Sequence, residues 1–119
     1  MKQIILLEEL ALTALGIYAI SILPFEYSWW IWLLLFFSPD IFIIAYAAGN
    51  KTGAIFYNIA HHRGLAIALA ALGYFLKLDW ALLIGVIMYA HASFDRIFGY
   101  GLKYADDFKH THLGWIGKK

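Results

Sequence analysis

Four apolar stretches, about 4–23, 28–48, 54–76 and 80–99, take up most of this chain, with only a few residues between them. A helix that crosses a bilayer needs ~20 predominantly apolar residues, and each stretch meets that length. Connections this short leave consecutive helices antiparallel. The expected fold class is therefore all-α: a four-helix transmembrane bundle forming one domain over 1–119, with a short interfacial tail at 100–119. Composition agrees, since 63% of the 119 residues are hydrophobic and only 14% are charged. A soluble domain of this size has a large surface for its volume and needs more charge than that. Glu8 and Glu9 interrupt the first stretch and no cleavage signature follows it, so it is expected to be a retained helix rather than a signal peptide. The net charge of +1, with no dense basic patch, argues against nucleic acid as a partner. The absence of cysteine excludes disulfides, thiolate nucleophiles and iron–sulfur ligation.

Positive charge sets the direction of insertion. With the N-terminus in the cytoplasm, the inner side receives Lys2, Lys51, Arg63, Arg96, Lys103, Lys109, Lys118 and Lys119, and the outer side only Lys77. The expected location is the cell membrane, multi-pass, with both termini cytoplasmic. Trp29, Trp30, Trp32 and Trp80 then fall at or near the outer interface as anchors.

Against this apolar background, Asp40, His61 and His91 each lie eight residues from the inner end of a stretch, a depth of about 12 Å. Ionisable groups at such depth are costly in hydrocarbon and persist when they face one another, water or a ligand. His91 and Asp95 are four apart and share a helix face; Asn58 and His61 are three apart and do the same. His61 and His62 diverge by about 100°, so only one of them points inward; His62 and Arg63 are expected to turn to the interface or a neighbouring subunit. Pro39 is expected to kink the second helix beside Asp40, opening room for water or an ion. A spacing of 55 residues relates Ser38-x-Asp40 to Ser93-x-Asp95, which suggests two helical hairpins repeated about an axis along the membrane normal.

Glu8, Asp40, His61, His91 and Asp95 together suit one or two divalent ions such as Zn, Mn or Fe, although no HExxH or ExxH motif is present. The expected metal ligands are Asp40, His61, His91 and Asp95, with Glu8 and Asp95 as catalytic carboxylates. Asn58, Arg96, Tyr100, Lys103 and His112 are candidates for substrate contacts. The tail, with Phe108 and Thr111 to Trp115, folds over the polar mouth as a lid or serves as an interfacial anchor, and composition favours the anchor.

Leu7-Glu8, Ser38-Pro39-Asp40, Tyr57-Asn58-x-x-His61, His91-x-x-x-Asp95-Arg96, Gly99-Tyr100-Gly101-Leu102-Lys103-Tyr104 and Thr111-His112-Leu113-Gly114 occur together here. This combination resembles the domain of unknown function family 4260, small and mainly bacterial membrane proteins. The resemblance covers nearly the whole chain and implies a four-helix integral membrane protein with no assigned activity. It also implies that Glu8, Asp40, Asn58, His61, His91, Asp95 and the tail residues belong together, which favours Glu8 over Glu9 as the fifth inward group. Glu9 and His62 stand beside the matched positions, with their roles open.

The leading functional expectation is a metal-dependent membrane hydrolase acting on a lipid-linked or amphiphilic substrate. Its partner would be the lipid bilayer, with a homo-oligomer open. The alternative is a proton or ion conduit, or a ligand-binding membrane protein without catalysis. A haem held between His61 and His91 is a third arrangement the depths allow.

Overall fold

The computed structural model describes residues 1–116. Lys118 and Lys119, counted above toward the inner charge, lie outside the described residues. Five α-helices carry the chain: α1 (Lys2–Ser21), α2 (Trp29–Phe37), α3 (Asn50–Ala60), α4 (Arg63–Phe75) and α5 (Asp79–Ile97). A 3-10 segment, Ser38–Ala48, continues α2, and a small hairpin of β1 (His110–Thr111) and β2 (Gly114–Trp115) closes the tail. The all-α expectation holds, and α1 and the joined Trp29–Ala48 stretch are long and apolar enough to cross a membrane.

The second and third stretches depart from the uniform helices expected of them, for local reasons. Pro39 has no amide hydrogen, so the α-pattern of α2 fails there and the chain tightens into eleven residues of 3-10 helix. Such runs seldom exceed 3–4 residues, and within a helix they often mark a hinge or a sequence under strain. Gly49, at φ 111°, turns the chain back into α3, a backbone state that other residues rarely adopt. The third stretch, expected as one helix over 54–76, is broken at His61–His62. His62 is extended (φ −87°, ψ 112°), and its Nδ1 accepts the Leu65 amide at 3.1 Å, so it caps the start of α4.

Helix α5 is central, packing on α1 and most extensively on α4, while α3 packs on the 3-10 segment. Close approach of α4 and α5 depends on small residues: a Cβ on Gly85 would strike the backbone of Ala66 and Ala70. Gly64, Ala68 and Ala71, small residues at helical spacing on α4, are exposed. Large apolar side chains cover the outside, among them Leu7, Leu34, Ile44 and Phe75, whereas Glu9, His61, His91, Ser93 and Asp95 are buried. That distribution is the inverse of a soluble domain's.

Candidate metal centre

The two irregular points in the helices supply the anchors of a buried polar ring. A 3-10 pattern would pair the carbonyl of residue 36 with the amide of residue 39. Pro39 offers none, and the Phe36 carbonyl accepts a hydrogen bond from His91 Nδ1 at 2.8 Å instead. At the end of α3, the Tyr57 carbonyl accepts from the His61 amide at 3.0 Å and from His61 Nδ1 at 2.8 Å. A carbonyl only accepts, so both Nδ1 atoms carry hydrogen. In each neutral imidazole the lone pair is therefore on Nε2.

Both Nε2 atoms face the same two carboxylates. Asp40 Oδ1 lies 3.0 Å from His91 Nε2 and 3.3 Å from His61 Nε2. Asp95 Oδ2 lies 3.2 Å and 3.4 Å from the same two nitrogens. The result is a closed ring alternating nitrogen and oxygen, with all four ligand atoms within 4.8 Å of one another. Four donors spaced this way can close on one cation with bonds of ~2.0–2.2 Å, the usual range for nitrogen and carboxylate ligands of zinc. His91 is fully buried and His61 nearly so, while the Asp40 side chain is 41% exposed and forms the open side.

Tyr57 braces three parts of this ring. Its carbonyl orients His61, its ring stacks on the His61 imidazole at 3.8 Å between centroids, and its hydroxyl donates to Asp95 Oδ2 at 3.4 Å. Backbone and side-chain partners of this kind hold metal-binding imidazoles and carboxylates in register.

Asp40 and Asp95 open into a cavity of about 560 Å³, walled mostly by aromatic and aliphatic side chains. The tail contributes Tyr100, Lys103, Phe108 and Ile116 to its lining. Lys103 is 5% exposed, with Nζ donating to the Phe108 carbonyl at 2.9 Å and lying over the rings of Phe108 and Tyr57. Burial pushes its pKa down to about 8, against the pull of Asp95 and Asp40.

The family described as "Domain of unknown function (DUF4260)" matches residues 2–116. The chain belongs to that family. No curated protein and no solved structure matches it.

In this DUF4260 chain, the structure brings Asp40, His61, His91 and Asp95 together as a group that could hold a metal ion. The other candidate residues are placed differently. Glu8 lies on the exposed side of α1, and its neighbour Glu9 is the buried one, binding Arg63 through both carboxylate oxygens at 2.5 and 3.3 Å. Glu8 is thus turned away from the four-residue group, because the packing of α1 on α5 buries the face about 100° away from it. Arg63, expected at the interface, turns inward and also donates to Ser93 at 3.4 Å. Asn58 does not face the cavity. Its side chain pairs with both backbone groups of Lys103, accepting at 2.6 Å and donating at 2.8 Å, and so clamps the tail. Tyr100 and Lys103 line the cavity, whereas Arg96 and His112 do not. His112 Nδ1 accepts the Leu102 amide at 2.8 Å, and its ring packs over Gly101. Between lid and anchor, the tail's geometry matches the lid: Phe108 and Ile116 close one side of the cavity. The haem arrangement does not fit, since the carboxylates occupy the space between the imidazoles that a macrocycle would need.

Tyr57 and Glu9 are the buried polar partners that the sequence reading left out of the site and its support. Tyr57 carried one usable signal, its position four residues before His61 on a helix face. Glu9 carried none that distinguished it from Glu8.

Proposed function

We propose that this chain is an integral membrane protein whose ring binds one divalent cation and uses it to hydrolyse an amphiphilic substrate. One observation carries the reading. Two imidazole Nε2 atoms face two carboxylate oxygens across 3.0–3.4 Å, an arrangement that calls for positive charge among them, and a divalent cation supplies it. Two nitrogen and two oxygen donors, each histidine anchored to a backbone carbonyl, suit a Zn, Mn or Fe ion. Such an ion lowers the pKa of a bound water toward neutrality and polarises an ester or phosphoester oxygen. The protein's own contribution is to hold the donors, to keep Asp40 open to the cavity, and to exclude bulk water with the tail. The apolar walls fit a hydrocarbon chain.

Membrane insertion is supported by the two long apolar helices and by the apolar exterior of the fold. The lysines and arginines flanking α3 and the tail favour a cytoplasmic mouth with both termini on that side.

The test is hydrolysis of long-chain nitrophenyl esters and phosphodiesters by the zinc-loaded protein in liposomes. Turnover should disappear with a chelator, return with zinc, and be absent in Asp95→Asn. Turnover indifferent to the chelator would overturn the reading.

The same ring favours a second reading, because two protonated imidazoles would satisfy it as hydrogen bonds alone. The site would then store or relay protons. Proton flux into proteoliposomes that is lost in His91→Ala, from protein without metal, would establish that function instead.

A further inference from the structure

The cavity's charges do not balance once the ring is loaded, and the imbalance says what the cavity takes. Asp40 and Asp95 contribute two negative charges, and Lys103, its ammonium over the Tyr57 ring, adds one positive charge to the same lining. With both imidazoles neutral, a divalent ion cancels the carboxylates and leaves the ammonium in excess. An uncompensated charge in a space walled by Phe37, Phe94, Phe98, Ile43 and Ile116 is unfavourable, and a bound anion relieves it.

Lys103 is held where it is by structure rather than by chance. Asn58 clamps its backbone on both sides, Thr111 bridges it from the tail hairpin, and Nζ is fixed by the Phe108 carbonyl and the two aromatic faces. Placing an ammonium in so apolar a wall costs free energy. No carboxylate salt bridge within 4 Å offsets it among the described residues. The cavity volume of about 560 Å³ is that of a small-molecule site rather than a water pocket.

We infer that the cavity binds an amphiphile with a hydrocarbon chain and a head group carrying a single negative charge, a carboxylate or a phosphodiester, held between Lys103 and the metal ring. This rests on the metal reading above. It adds the sign and number of charges on the ligand, and Lys103 as the residue that reads them.

Cobalt(II) in the ring provides a visible spectrum sensitive to a head group beside it. Cobalt-loaded protein in zwitterionic nanodiscs is titrated with oleate, monoolein, oleylamine and acetate. Oleate should shift the spectrum at a concentration at least tenfold below monoolein, with oleylamine inert and acetate at least a hundredfold weaker. Lys103→Met should bind one cobalt and lose the preference for oleate; Lys103→Arg should keep both. Equal responses to oleate and monoolein, or a tenfold preference surviving in Lys103→Met, would overturn the inference. Acetate acting as well as oleate would reduce the site to one for small anions and overturn it too. Failure to bind cobalt would remove the metal reading as well; bound cobalt without charge preference removes only this step.

Discussion

The neighbouring residues Glu8 and Glu9 make the sharpest stability test of the packing. Glu9 is 5% exposed and holds Arg63, itself 20% exposed, through two hydrogen bonds. In Glu9→Gln the guanidinium stays inside the bundle without its counter-charge and with one carboxylate oxygen fewer, keeping the amide oxygen and the Ser93 hydroxyl at 3.4 Å as acceptors. Removing one partner of a buried ion pair costs about 3–5 kcal/mol; partial hydration of Arg63 lowers this to about 2–4 kcal/mol. Glu8→Gln changes a side chain on the exposed face of α1 and should stay within about 0.5 kcal/mol of the parent. The assay is unfolding in mixed micelles of increasing SDS fraction, followed by tryptophan fluorescence. The double variant Glu9→Leu, Arg63→Leu removes both charges and should recover at least half of the loss. Equal costs at the two glutamates, or a Glu9→Gln cost under about 0.5 kcal/mol, would refute the packing of α1 described above.

Three further outcomes follow from individual contacts. Pro39→Ala supplies an amide that competes with His91 for the Phe36 carbonyl; zinc affinity measured by competitive chelation should fall ~10–100-fold with helical content unchanged. Asn58→Ala removes two hydrogen bonds to Lys103, about 2 kcal/mol in all, so amide exchange across 100–116 should quicken by about thirtyfold while the rest of the chain exchanges as before. Burial lowers the Lys103 pKa to about 8 and only the charged form attracts an anion, so oleate affinity should be highest in the acid range and fall as pH rises through 8; an affinity that rises there contradicts the assignment.

How much of this was legible in the sequence depends on the range of each interaction. His91 and Asp95 were readable because four residues on a helix fix a shared face. The convergence of Asp40 and His61 with them was readable because lipid makes isolated polar groups at one depth improbable. The helix break at His61–His62 was not, since hydropathy is indifferent to a single extended residue whose imidazole caps the next helix. The choice between Glu8 and Glu9 was equally hidden: both sit at one depth, and only the contact of α1 with α5 decides which is buried. Asn58 was assigned to His61 by spacing, yet its partner is the backbone of Lys103, 45 residues away, brought back by a hairpin that no periodicity announces. Pro39 was correctly expected to disturb its helix. Its consequence, a free carbonyl that orients His91, needed the neighbouring helix in place.

The most direct measurement is zinc stoichiometry together with X-ray absorption at the zinc edge, on protein purified in detergent and loaded under limiting metal. The account predicts one ion per chain with two imidazoles and two carboxylate oxygens at ~2.0–2.2 Å, and loss of that signature in both His61→Ala and His91→Ala. Protein that takes up no stoichiometric metal, or that binds it through His110 and His112 of the tail instead, would contradict it.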